Sequence, residues 1–189
     1  MFGWFKKKVA DVAQARQELI HAAASESARF MINVRDATGG FPRRMLDDPF
    51  IVGAAAMYAG VTAKVLSGGQ APNVLIEAAM IQALELAFVG TGVERWEVIA
   101  ALQRFKNHPE YSKAVQVVSL ILGARYGRND LAHDPLLLEA RAEVRAMPKA
   151  FRESFGSTEP EQVANQLSHR HFLAPLKEKY GELWRSGDA

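Results

Sequence analysis

A chain of 189 residues, 49% of them apolar, has the length of one ordinary domain and can bury a core without covalent staples. It holds no cysteine, which excludes disulfides, thiolate metal sites and thiol nucleophiles together and fits a reducing compartment, so the cytoplasm is the expected location. Twenty-three basic against 21 acidic residues leave a net charge of +2, which excludes a global field for nucleic acid or membrane; such a contact has to come from a local patch.

One such patch stands at the start, where Met1-Phe2-Gly3-Trp4-Phe5-Lys6-Lys7-Lys8 sets apolar side chains beside three lysines. A secretory signal runs in the opposite order, with charges ahead of a longer apolar run. Residues 1–8 therefore read as an aromatic-basic segment leading into an amphipathic helix. Such a segment suits an anionic leaflet, with Phe2, Trp4 and Phe5 at headgroup level and Lys6, Lys7 and Lys8 toward lipid phosphate. The competing reading is a terminus whose aromatics fold back on the protein.

From Val9 to Ala37 the residues Val9, Val12, Ala13, Leu19, Ile20, Ala23, Ala24, Ser27, Phe30, Met31 and Val34 recur at three- and four-residue steps. That spacing predicts one long amphipathic helix, stopping near Thr38 before Gly39-Gly40-Phe41-Pro42. Asp47-Asp48-Pro49 offers a cap and a first-turn proline for a second helix to Leu66. Its Gly53, Ala54, Ala55, Ala56, Ala59, Gly60 and Ala63 leave one side almost without bulk, so another backbone can approach closely. Pro72 opens a third helix through Val89, interrupted only by Glu77, Gln82 and Glu85, which reads as the central helix of a bundle. Two adjacent apolar helices raise the idea of a membrane hairpin; Lys64, Glu77 and Glu85 argue against it, since each is costly at mid-bilayer.

A fourth helix is expected over residues 93–106 with Trp96, Ile99, Ala100, Leu102 and Phe105 on its inner side, and a fifth over 110–126 closed by Gly127. Asp134-Pro135 opens a sixth to Met147, with its continuation past Pro148 to Phe155 left open. Thr158-Glu159-Pro160-Glu161 reads as a capping box for a helix to His169, followed by another from Leu173 to Trp184. The expected class is all-α: an antiparallel bundle of about five core helices over residues 9–155, with a C-terminal helical extension, residues 156–189, packed on it.

Candidate chemistry lies between the fifth and sixth helices, in Arg128-Asn129-Asp130-Leu131-Ala132-His133. The arginine-to-histidine spacing alone carries little, because Arg16 and His21 repeat it in the first helix, where a solvated polar face explains it. In the later copy an asparagine follows the arginine, and Leu131 and Ala132 precede the histidine at a helix junction. These residues resemble the HEPN superfamily, all-α proteins whose ribonuclease members carry an arginine, a polar residue that is often asparagine, and a histidine a few positions on. The resemblance covers six residues and a bundle of compatible size. It implies a metal-independent endoribonuclease or an RNA-binding relative, with Arg128, Asn129 and His133 catalytic and neither cofactor nor metal. It also implies RNA as partner, a homodimer that joins two motifs in one cleft, and an inhibitory protein partner. In the family the motif begins a bundle helix, whereas Gly127 and Asp134-Pro135 here predict a short turn.

The chemistry is coherent. An imidazole titrates near neutral pH, so His133 suits proton transfer at a 2′-hydroxyl or a leaving oxygen. A guanidinium offers two-pronged hydrogen bonds to a phosphate gaining charge, the role of Arg128, with Asn129 orienting the histidine or a phosphate oxygen. By proximity in sequence, Arg125 widens the basic patch and Tyr126 stacks on a splayed base. The same six residues also suit ordinary capping, with Asn129 or Asp130 at a turn, Arg128 on the last carbonyls of the fifth helix and His133 at the surface. The alternative function is then a non-catalytic helical module that binds a protein, peripheral at a membrane through its N-terminal segment. Glu18 and His21 have the spacing of a di-iron helix but lack a convincing second copy, and His169 and His171, two apart, diverge on a helix.

Overall fold

A computed structural model describes residues 2–38, 43–127, 131–154 and 156–180, with the side chains of residues 2–12, 37, 38, 151 and 154 excepted. Among these residues the regular structure is helical throughout, so the chain is all-α. The helices are α1 (Phe2–Thr38), α2 (Pro49–Leu66), α3 (Asn73–Ala87), α4 (Arg95–Phe105), α5 (Pro109–Tyr126), α6 (Pro135–Ala146), α7 (Lys149–Ser154), α8 (Glu159–Ser168) and α9 (Ala174–Tyr180). A 3-10 turn, Arg43–Asp47, precedes α2, and a π-helical turn, His169–Leu173, joins α8 to α9.

Local chemistry explains the ends. Asp48 caps α2, its Oδ1 accepting from the amides of Phe50 at 2.8 Å and Ile51 at 3.4 Å, with Pro49 preset for the first turn. Gly127 closes α5 at φ +68°, a backbone region open to glycine at little cost. The Glu161 carboxylate accepts from the Thr158 amide at 2.8 Å and completes the capping box of α8. Helix α6 does not run on to Phe155: Met147 is extended at ψ 142°, because the ring of Pro148 disfavours the helical region for the residue before it, and α7 starts afresh at Lys149. The expected stop at Gly39-Gly40-Phe41-Pro42 and the expected end at Trp184 lie outside the described residues.

The central helix is α2, not α3. Twelve of its 18 residues are buried, and α1, α3 and α5 all pack on it. Small side chains make this geometry accessible. The Ser27 hydroxyl of α1 donates to the Ala55 carbonyl at 2.9 Å; a Cβ at Gly60 would lie 2.6 Å from Met80 Cε of α3; one at Gly53 would lie 2.9 Å from the Tyr111 carbonyl oxygen of α5. Helix α3 buries only Ile76, Ala79, Ala83 and Leu84 and leaves Val74 largely exposed, as is Val89 in the turn that follows it. Its apolar content is spread around its circumference, and an outer helix covers only one side of that. Helix α2 is also long and apolar enough to cross a membrane, and here that character serves the core.

The inner side of α4 is a second correction. Val98, Ala101 and Phe105 are buried, while Trp96 is 67% exposed and Ala100 is exposed. Trp96 lies two residues before Val98, about 200° around the helix, so it cannot share that face.

The C-terminal segment contributes to the main core. Val163, Ala164, Leu167, Phe172, Leu176 and Tyr180 are buried there, with α8 lying against α5 and α6. An aromatic series runs from Tyr58 to Phe30 (ring centroids 4.6 Å), to Phe172 (4.7 Å) and on to Phe50 (5.6 Å), tying α1 and α2 to the π-helical turn. A smaller, alanine-rich cluster of Ala23, Ala24, Ala59, Ala63, Ile76, Ala79 and Ala83 joins α1, α2 and α3.

Candidate functional site

The junction between α5 and α6 is anchored on both sides. Before it, α5 ends in its glycine cap. After it, Leu131 seats its side chain on Gly123, where a Cβ would come within 2.5 Å of Leu131 Cδ1. The Asp134 amide donates to the Leu131 carbonyl at 3.0 Å, and the Asp134 carboxylate accepts from Leu136 at 2.9 Å to start α6. His133 is exposed in the turn ahead of α6 rather than on a helix. Arg128 and Asn129 lie outside the described residues.

Two flanking residues expected to bind substrate are described, and they differ. Tyr126 is 47% exposed and accessible to a ligand. Arg125 is exposed as well, and its guanidinium also donates to the hydroxyl of Tyr58 at 3.0 Å. Tyr58 is buried; burial raises the pKa of its phenol and the Arg125 cation pulls it the other way. Arg125 therefore fastens α5 to α2, a role that a sequence separation of 67 residues hides. Arg16 and His21, which repeat the spacing in α1, are both exposed. Among the described residues no group of three or more histidine, aspartate or glutamate side chains is placed to hold a metal ion.

Two further constellations carried no sequence signal beyond a cap and a tryptophan. Asp48 is buried and uses both oxygens: Oδ1 caps α2, while Oδ2 accepts from Lys179 Nζ at 2.7 Å and from the hydroxyl of Tyr180. Burial pushes its pKa up, but the hydrogen bonds from Lys179, Tyr180 and the Phe50 amide outweigh that and hold the carboxyl below its ordinary range. Burial and the adjacent carboxylate push the Tyr180 phenol well above its ordinary value.

The second is a cavity of about 180 Å³ between the 3-10 turn and α4, lined by Arg43, Asp47, Trp96, Glu97 and Arg104 among others. Arg43 bonds the Gly92 carbonyl at 2.6 Å and pairs with Glu97; Arg104 pairs with Asp47 at 2.6 Å and lies 4.3 Å from the centre of the Phe105 ring. Both cations are thus answered from within the protein. The cavity is also smaller than the roughly 300 Å³ at which small-molecule sites begin.

The fold defines an all-α helical bundle with a buried, alanine-rich central helix. No family model matches the chain, and no curated protein or solved structure matches it either.

Proposed function

We propose that this protein is a non-catalytic helical interaction module that docks through the N-terminal part of α1. One observation carries this: every residue of α1 from Ala13 to Glu18 is exposed, its first buried position among those described is Ala23, and the helix nevertheless continues back to Phe2. Helices α1 and α2 run antiparallel, with Ser27 against Ala55 and Ala23 clustering with Ala59 and Ala63. Counting back residue for residue, position 16 is level with Leu66, the last residue of α2 (27 − 16 = 66 − 55). On the other side Gln82 Nε2 lies 3.4 Å from His21 Nδ1, which sets position 12 level with Asn73, the first residue of α3 (21 − 12 = 82 − 73). Residues 2–11 thus run past both neighbours, over about 15 Å at 1.5 Å per residue. A helical segment of that length is marginal in water without a surface to pack on.

The test compares fluorescent fusions of the full chain and of a chain lacking residues 2–12 in cells, alongside their circular dichroism. The full chain should concentrate at one location and the shortened chain spread evenly, with the bundle still helical. Identical distributions would end this reading.

A second reading, a HEPN-like ribonuclease or RNA-binding relative, is favoured by the exposure of His133 and Tyr126 on either side of one pinned junction. Cleavage of single-stranded RNA in the presence of a chelator should then fall by roughly 10²–10⁴-fold in His133→Ala, the usual contribution of an acid–base group. Cleavage equal to wild type would remove the catalytic assignment of Arg128, Asn129 and His133.

A further inference from the structure

We infer that the partner of α1 is an anionic lipid surface, on which residues 2–12 lie in the plane of the headgroups; this rests on the docking reading above. Eighteen residues make five turns of an α-helix, so positions eighteen apart share a register. Phe5, Val9, Val12 and Ala13 therefore hold the register of Ala23, Ser27, Phe30 and Met31, all of which are buried in the bundle. The register of the stripe thus continues in the sequence for about three turns beyond the level of Asn73, the first residue of α3.

Charge selects the occupant. Residues 2–10 hold Lys6, Lys7 and Lys8 and no acidic residue. Lys6 takes the register of Ala24, buried at the edge of the face that α1 turns to the bundle, and Lys8 that of Glu26, about 80° to either side of the centre of the stripe. A segment that joins Phe2, Trp4 and Phe5 to Lys6, Lys7 and Lys8 without an acidic residue has the composition of a helix at a membrane interface. A second copy meeting this stretch in parallel would set lysine against lysine. The end of the bundle that α1 passes adds apolar surface of its own, since Val65, Leu66 and Val74 are 46%, 52% and 68% exposed there. Arg16, in the register of buried Val34, marks where the stripe turns polar before it enters the bundle.

The experiment is co-sedimentation of the full chain with vesicles of phosphatidylcholine, with and without phosphatidylglycerol, at low and raised salt. Binding is expected to the anionic vesicles alone and to weaken with salt. Each lysine at such a surface is worth roughly a fivefold change in partitioning, so Lys6→Gln, Lys7→Gln and Lys8→Gln together should lose about a hundredfold. Phe2→Ser with Phe5→Ser should weaken binding while circular dichroism of the bundle stays unchanged. Equal binding to both vesicle types, unaltered binding by the lysine variant, or a solution dimer broken by these same substitutions would overturn the lipid assignment. If the vesicles fail but deleting residues 2–12 still redistributes the cellular fusion, the lipid inference falls and the docking reading stands. If the deletion changes nothing, both fall.

Discussion

Replacing Phe172 by alanine is expected to cost about 3–5 kcal/mol of unfolding free energy, the range for deleting a fully buried aromatic side chain. Phe172 has no exposed surface and its ring lies between those of Phe30 and Phe50, so truncation leaves a hole between α1, α2 and the π-helical turn. No neighbour is placed to fill it easily. The π-helical turn sets Phe172 at the point where α8 gives way to α9, and the flanking buried residues Leu167 and Leu176 are already committed to the same core. Urea unfolding of wild type and variant gives the difference directly. A loss below about 1 kcal/mol would mean that the C-terminal segment is a layer resting on a self-sufficient bundle, contrary to the burial described.

Asp48→Ala is expected to cost about 2–4 kcal/mol, from two sources. Loss of the α2 cap contributes about 1 kcal/mol. The buried hydroxyl of Tyr180 then lacks its acceptor, at about 1–3 kcal/mol. Lys179, 59% exposed, adds little because water can take over its ammonium. The same carboxylate predicts a pH dependence. Its pKa is lowered in the folded protein, so its stabilisation is complete above the unfolded value near 4 and is lost as pH falls through the folded value. Stability measured by urea unfolding should therefore decline below about pH 4, and Asp48→Asn, which keeps a capping oxygen and cannot ionise, should flatten that limb. An unaltered acid limb in the variant would mean that other carboxylates dominate it.

Much of the fold can be read from short stretches of the chain. The bounds of α2 follow from Asp48-Pro49 and Ser67-Gly68-Gly69, the end of α5 from Gly127, the start of α6 from Asp134-Pro135 and the start of α8 from Thr158 and Glu161, because each rests on hydrogen bonds and backbone preferences a few residues long. The placing of helices was less legible. Helix α3 looks more central than α2 by bulk of apolar side chains, yet the chain puts its smallest side chains at the centre, where three helices crowd one axis. Trp96 looks like core by residue type, and the register of α4 turns it outward.

The candidate sites divide along the same line. The aromatic-basic residues 1–8 and the apolar periodicity from Val9 onward are present in the sequence, but that α1 runs past its neighbouring helices depends on where α2 ends and α3 begins against it. The Arg128-Asn129-x-x-x-His133 pattern is visible in the chain; that Arg125 is held by Tyr58 was not, since the two residues are brought together only by packing. The sequence by itself determined the helical class and those helix ends that carry a local cap, set by interactions within a turn or two. Only the tertiary structure decided that α2 is central, that Asp48 joins Lys179 and Tyr180, and that α1 extends beyond the level at which α2 ends and α3 begins. Each of these depends on contacts between residues far apart in the chain, which helical periodicity constrains in direction but not in partner.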